Sequence, residues 1–283
     1  MLWKGRRQSQ NIEDRRGSSG RKVALGGGLG ALAVTIIVLL LGGNPDEVMQ
    51  NLQTSPASGH EQARTLTAEE KEMGDFVAVV LADTEDVWNG IFRQNEGEYR
   101  EPKLVLFSGA TDSACGFAQS ATGPFYCPGD EKIYIDLDFF REMQQRLGAR
   151  GDFAWAYVIA HEVGHHVQNL LGIMEQMQEK QQRLGRQDYN RTLVRLELQA
   201  DFLAGVWAHH AQRLKNILEA GDIEEGMNAA AAVGDDRIMK REQGVVVPDA
   251  FTHGTSAQRL RWFTLGFKSG DISRGDTFAA REL

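Results

Sequence analysis

Only two of the chain's 283 residues are cysteine, and they stand twelve apart, as Cys115 and Cys127. Neither has a partner at ligand spacing, which argues against a zinc site built on cysteine. The pair lies in a stretch of glycine, serine and proline, which leaves two readings open: a disulfide closing a short loop, or two reduced thiols. An exported body would favour the disulfide. Positive charge is also scarce beyond the N-terminus, since residues 23–283 carry 24 Lys or Arg against 37 Asp or Glu. A body that acidic lacks the surface needed to neutralise phosphates, which argues against nucleic acid as a partner. No internal repeat is found, so a repeat array is excluded too. What is present is ordinary in bulk. At 42% hydrophobic and 25% charged residues, the chain has the composition of a globular protein and the length for one substantial core.

The N-terminal residues 1–22 differ from the rest. They hold seven basic residues against Glu13 and Asp14, and are followed by 21 uncharged residues, Val23 to Gly43. A run of about 20 apolar residues matches the hydrocarbon thickness of a bilayer, and membrane helices tolerate the glycines it contains. The sequence therefore predicts a transmembrane helix over 23–43, with residues 1–22 as a basic cytoplasmic segment. The body would lie on the far side, giving a single-pass inner-membrane protein with an extracytoplasmic domain. A cleaved signal peptide is the competing reading, disfavoured by the length of the run and by the lack of a clean cleavage site. Residues 44–65 read as a polar linker, and the remaining domain covers 66–283.

Thr67 with Glu70 makes a capping box before an amphipathic helix that runs to about Gln94. Leu104–Phe107 and Ile133–Asp136 have β character, and the glycine-rich stretch between them reads as loop with a hairpin. Beyond residue 150 the chain is mostly helical. One helix starts with Asp152 as N-cap and runs to Leu171, with Gly172 after it. Others are predicted over about 188–214, 222–233 and 256–267. The order predicts an α+β domain, mostly helical with a small sheet.

Within the helix that starts at Asp152 stands His161-Glu162-Val163-Gly164-His165. Histidines at i and i+4 lie one above the other on a helix face, so their imidazoles can converge on one tetrahedral metal. Glu162, one residue round, is placed instead to take a proton from a water that the zinc has acidified. Gly164 removes bulk beside the metal. Incidental histidines on an amphipathic helix are the bland alternative. They fit poorly here, because the flanking Phe153–Ala160 is apolar and buried His161 and Glu162 would need partners. His166 is rotated away and reads as a polar neighbour.

A catalytic zinc needs a third protein ligand and an open fourth position. Glu197 and Asp201, at i and i+4 among Leu196, Leu198, Ala200, Phe202 and Leu203, supply one candidate and its support. Glu197 is the expected ligand. Asp201 is expected to accept the far N–H of a ligating histidine and fix its tautomer. His209, His210 and His253 are rival ligands.

The motif His161–His165 followed by Glu197-Leu-Gln-Ala-Asp201-Phe-Leu-Ala-Gly resembles the bacterial family of putative neutral zinc metallopeptidases that carry one N-terminal membrane helix. Trp3-Lys4-Gly5-Arg6-Arg7, Asn11–Arg16, Gly123–Pro128, Ile133–Asp136 and Thr252–Ser256 carry the likeness across nearly the whole chain. The resemblance implies a zincin-like fold, Zn2+ as cofactor, a peptide or protein substrate, and a bacterial envelope location. By similarity with Glu-liganded zincins, His253-Gly254-Thr255-Ser256 with Arg259 implies His253 as an oxyanion donor. Gly254 stands where those proteins have proline, and Thr255 or Ser256 could equally be a helix cap. The same similarity implies that Ile133, Tyr134 and Ile135 form the strand that pairs with substrate, an ordinary core strand being the alternative. Tyr134 and Tyr157 are either transition-state donors or packing residues. The expected activity is zinc-dependent peptide hydrolysis. Hydrolysis of another amide or ester, and a non-catalytic binding module, are the rivals.

Overall fold

The structure, a computed structural model, describes residues 1–16, 65–119 and 123–283. It is a mixed α+β fold, with eight α-helices and two small sheets among the described residues. Strand β1 is Ile12–Asp14, and helix α1, Ala68–Gln94, follows the undescribed stretch. Then come β2 (Lys103–Phe107), β3 (Ala110–Ser113), β4 (Gly116–Gln119), β5 (Phe125–Cys127) and β6 (Lys132–Asp136). Helix α2 (Asp138–Glu142) leads into a π-helical turn, followed by α3 (Asp152–Leu170), α4 (Ile173–Arg183) and α5 (Arg186–Lys215). Helices α6 (Asp222–Ala232), α7 (Asp235–Gln243) and α8 (Ser256–Ser269) complete the order.

The capping box at Thr67 and Glu70 is present, with both reciprocal hydrogen bonds made. Helix α1 then buries Val77, Val80, Leu81 and Trp88, and each such aliphatic side chain removed from water contributes about 1.5–3 kcal/mol. The main sheet runs β1-β2-β6-β5, parallel except where β5 meets β6. Alternation sorts its side chains. Leu104, Leu106, Ile133 and Ile135 face the helical core, while Val105, Phe107, Cys127 and Tyr134 form a second small cluster on the other face. The β3–β4 hairpin is tied to β5 by a disulfide between Cys115 and Cys127, which decides between the two readings of the cysteines. Helices α5 and α8 cross with backbones touching: a Cβ on Gly205 would stand 2.1 Å from the Phe263 carbonyl, and one on Gly266 2.0 Å from that of Phe202. That crossing carries Arg259 against Asp201.

Several expectations are corrected. No helix among the described residues is long and apolar enough to cross a membrane, so the membrane-spanning element of the expected fold class finds no support. Residues 23–43, and the 44–65 linker up to residue 64, lie outside the described residues. The two-sided placement is overturned by the N-terminal arm. Residues 1–16 pack on the same body as 65–283: β1 pairs in parallel with β2, and Arg6 and Arg7 bind Asp83, Glu85 and Asp86 of α1. Lys132 of β6 also reaches Glu13 at 2.7 Å. A single span between arm and body would hold them on opposite faces of a bilayer. An inner-membrane protein with a cytoplasmic N-terminus and an extracytoplasmic domain is therefore not what the structure describes. Of the basic residues that suggested a topological signal, Lys4, Arg6 and Arg7 are instead partners for an acidic face of α1.

Asp152 is not the N-cap of α3. Gly151 holds that position without a side-chain cap, and the Asp152 carboxylate accepts from the Met1 amino group at 2.6 Å. Helices α2, α4 and α7 and strand β1 are not among the predicted elements.

Candidate metal centre

The site is built where α3 passes α5. A Cβ at Gly164 would lie 3.0 Å from the carbonyl oxygen of Ala200 and 3.2 Å from its Cα. Glycine there lets the two helices approach, and so faces His161 and His165 with Glu197 and Asp201. Its part is helix packing, rather than clearance beside a metal.

His161 is held on one side by charge. Its Nδ1 lies 2.9 Å from Oδ1 of Asp201. That carboxylate also accepts from Arg259, through Nε at 2.8 Å and Nη2 at 2.9 Å, and from the Tyr157 hydroxyl at 2.5 Å. A carboxylate only accepts, so Nδ1 carries a proton, which makes Nε2 the nitrogen available to a metal. Nε2 points to Oε2 of Glu197, 3.2 Å away. Burial alone would lower the His161 pKa, but the charge and hydrogen bond of Asp201, with Glu197, raise it to about 9. Asp201 is held low against its own burial by Arg259 and His161.

His165 is held by neutral groups. Its Nδ1 lies 2.8 Å from Oε1 of Gln168. The Gln168 amide nitrogen donates to the Leu196 carbonyl at 2.7 Å and to Oε1 of Gln199 at 3.0 Å. Those two donations make Oε1 the acceptor from His165, so Nδ1 again carries the proton. Nε2 faces Oε1 of Glu197 at 3.5 Å. Each histidine therefore turns its Nε2 toward the same carboxylate. One ligand atom from each of His161, His165 and Glu197 lies within 4.8 Å of the others. Two imidazole nitrogens and a carboxylate oxygen, converging with both far nitrogens satisfied, fit the donor set of zinc.

Glu162 is 7% exposed. Burial raises its pKa, His165 and His161 oppose that rise, and Glu197 adds to it. Its carboxylate thus feels the charge of all three side chains that converge on the candidate metal position. Glu197 is held well below the usual carboxylate range despite burial, chiefly by His165 and His253.

The charge of His253 also acts on Glu197. Its Nδ1 lies 3.0 Å from the Thr252 hydroxyl and 3.3 Å from Oδ1 of Asp235. Oδ2 of Asp235 accepts the backbone N–H groups of Thr252, His253 and Gly254 at 2.8, 2.7 and 3.0 Å. Burial lowers the His253 pKa, but Glu197 and Asp235 outweigh it and the net shift is upward. Thr255 caps α8 with Gln258.

Other expectations fall away from the site. His209 and His210 bind the Phe267 and Gly270 carbonyls at 2.8 Å each. His166 is wholly buried between Tyr126 and the Arg100 carbonyl. The Tyr134 hydroxyl donates to Asp130 at 2.7 Å, on the sheet face turned away from α3. Ile133, Tyr134 and Ile135 belong to β6, which is flanked by β2 and β5. With both edges paired, β6 has no edge left for a substrate. Two contributors were missed, Gln168 and Asp235. Gln168 stands three residues after His165, where a helix brings side chains together, so that spacing could have found it. Asp235 lies 18 residues from His253, and no local pattern marks it.

The profile of one family, described as putative neutral zinc metallopeptidase, matches residues 1–278. The chain belongs to that family. It is 48% identical over 285 residues to the uncharacterized protein YpfJ of Escherichia coli K12, covering 98% of this chain and 99% of that one. It is 41% identical over 261 residues to the uncharacterized protein Rv2575 of Mycobacterium tuberculosis H37Rv, covering 87% and 86%. No solved structure matches. Family and geometry agree on a zinc-type His/Glu site; neither names a substrate.

Proposed function

We propose that this chain is a zinc-dependent peptidase in which His161, His165 and Glu197 hold the metal and Glu162 is the general base. The observation that carries the reading is the shared orientation of the two histidines. Each has its Nδ1 proton bound elsewhere, and each turns Nε2 to Glu197. Zinc in such a site polarises a carbonyl and acidifies a water. Glu162, raised by burial, accepts the proton of the attacking water and delivers it to the leaving amine. His253, oriented by Asp235 and open to solvent on one side, donates to the oxygen on which charge develops.

The outer edge of β5 supports a peptide over other acyl substrates. Among the described residues β5 ends the sheet, and its Tyr126 touches His166, next to the ligand His165. An extended chain could add to Phe125–Cys127 along that edge. This role replaces the one expected of β6.

The test is incubation of the full, zinc-loaded chain with a diverse peptide mixture, scored by mass spectrometry beside Glu162→Gln. Cleavages made by the wild type and absent from a variant that still binds zinc support the reading. A zinc-loaded wild type that cuts nothing would remove the peptidase claim.

A further inference from the structure

Carboxylates crowd the start of α3. One oxygen each from Asp152, Asp222 and Glu225 lies within 4.8 Å of the others, and Glu219 stands in the turn before α6. Glu225 accepts the Phe153 backbone N–H at 3.2 Å, and Asp222 accepts that of Glu219 at 2.8 Å. Like charges so close repel, and burial sharpens the repulsion. The pKa values of Asp152 and Glu225 are accordingly pushed up, by burial first and by their acidic neighbours as well. Among the described residues, no lysine or arginine pairs with any of the four.

The cation that meets them is the α-ammonium group of Met1. It lies 2.6 Å from Asp152, 3.2 Å from Glu219 and 3.4 Å from Asp222. Burial lowers its pKa, but Asp152, Asp222 and Glu219 outweigh that and the net shift is upward. Charge is not all that sets its place. The Met1 side chain is buried and belongs to the main core. The next N–H, that of Leu2, donates to the Ile217 carbonyl at 2.8 Å. Trp3 meets Phe76 edge-on at 5.4 Å, and Phe76 meets Trp155 of α3 in the same way at 5.9 Å. With its neighbours fixed, the amine cannot shift to another position along the chain and still reach the carboxylates.

We infer that this acidic pocket is a receptor for a free α-ammonium group at Met1, so that the N-terminal arm docks fully only when that amine is unblocked. A formyl or acetyl group, or any residue joined ahead of Met1, turns the ammonium into a neutral amide. Asp222, 4% exposed, and Asp152 would then face each other without a counter-charge, and a buried charge stripped of its partner is strongly destabilising. Whatever frees the amine, removal of an initiator's formyl group or cleavage ahead of Met1, completes the pocket. The inference does not depend on the zinc reading, and the proposed peptidase chemistry uses none of these groups.

The test compares three forms of the full chain. One has a free Met1 amine, one carries formyl-Met1 from cells whose deformylase is inhibited, and one has a single glycine joined ahead of Met1. Intact masses identify each form, and the rate of trypsin cleavage after Lys4 and Arg6 reports release of the arm. Formylation should raise that rate at least about tenfold, as loss of a charged contact destabilises a short segment locally. The glycine-extended chain keeps a positive charge but not at the pocket, and should be cut as fast as the formylated one. In a chain carrying Asp152→Asn and Asp222→Asn, the free and formylated forms should differ by less than about threefold, because the pocket no longer distinguishes them. That comparison is made within the variant, so a general loss of stability moves both forms alike. Equal cleavage of free and formylated wild type overturns the proposal. So does a glycine-extended chain as well protected as the free one, or a formylation effect undiminished in the double variant. A formyl group or a preceding residue on Met1 of the protein taken from its own cells overturns it too.

Discussion

His161 and His165 stand one helical turn apart on α3 and face the same carboxylate, yet the protein fixes them by different means. Behind His161 lies a closed ionic network, with Asp201 and Arg259 buried and Tyr157 joined to both. Behind His165 lies a chain of neutral amides that ends in the wall of an open cavity. Ionic groups withdrawn from water are stable only as a complete set, so the first half is rigid and intolerant of partial loss. Amides give up less when one bond is broken. The comparison suggests that one half sets the geometry of the site and the other leaves it adjustable.

The first half breaks with the largest effect. Asp201→Ala would strand the Arg259 guanidinium in the core, at a cost of about 3–5 kcal/mol in stability. It would also leave the His161 tautomer unfixed, lowering zinc affinity about 10–100-fold. Thermal melts of the metal-free chain and a zinc competition titration measure the two losses. A variant as stable as the wild type would sink the ionic account. Protons probe the same half more gently. The His161 pKa is raised to about 9 in the metal-free fold, so bound proton adds stability that is complete below the ordinary value of about 6.5. That contribution is lost as pH rises through about 9. Zinc must displace this proton, so zinc affinity should climb up to about tenfold per unit from pH 7 and flatten near 9. A flat titration between pH 7 and 9 would contradict the Asp201 contribution.

Gly164 serves both halves, because it sets the distance between α3 and α5. A methyl group there meets the Ala200 backbone at 3.0 Å, and backbone cannot swing aside as a side chain does. Gly164→Ala should cost about 1–3 kcal/mol through overpacking and weaken zinc binding by moving Glu197 away from both histidines. If it melts normally and binds zinc normally, the close approach is not what builds the site.

The first half was also the more legible in sequence. Paired acids at Glu197 and Asp201 within an apolar helix marked the carboxylate that faces both histidines and the one that holds His161, since buried carboxylates need partners. The capping box at Thr67, the two long helices and the histidine pair were legible for the same reason: helical periodicity and capping act over a few residues. What was not legible depends on tertiary meeting. Asp235 reaches His253 only because α7 folds back on the loop before α8. The order β2-β6-β5 hides β6, although Ile133–Ile135 reads equally as an edge strand or a core strand. The N-terminal arm misled most. Arg6 and Arg7 look the same in sequence whether they orient a membrane segment or pair with Asp83, Glu85 and Asp86, and only the α1 face distinguishes the two.

The second half supplies the smallest effect and the sharpest test of the contrast. Gln168→Leu keeps the volume but removes the acceptor for His165 Nδ1 and the donor to the Leu196 carbonyl. No buried ion is orphaned, so the stability cost should be about 1–3 kcal/mol, below that of Asp201→Ala. Zinc affinity should fall only toward the lower end of the range for such supporting groups, about tenfold, because Glu197 and the Nε2 lone pair remain. The ratio of the two zinc losses decides the matter. If Gln168→Leu weakens zinc as much as Asp201→Ala does, the two halves are equally rigid and the contrast between them fails.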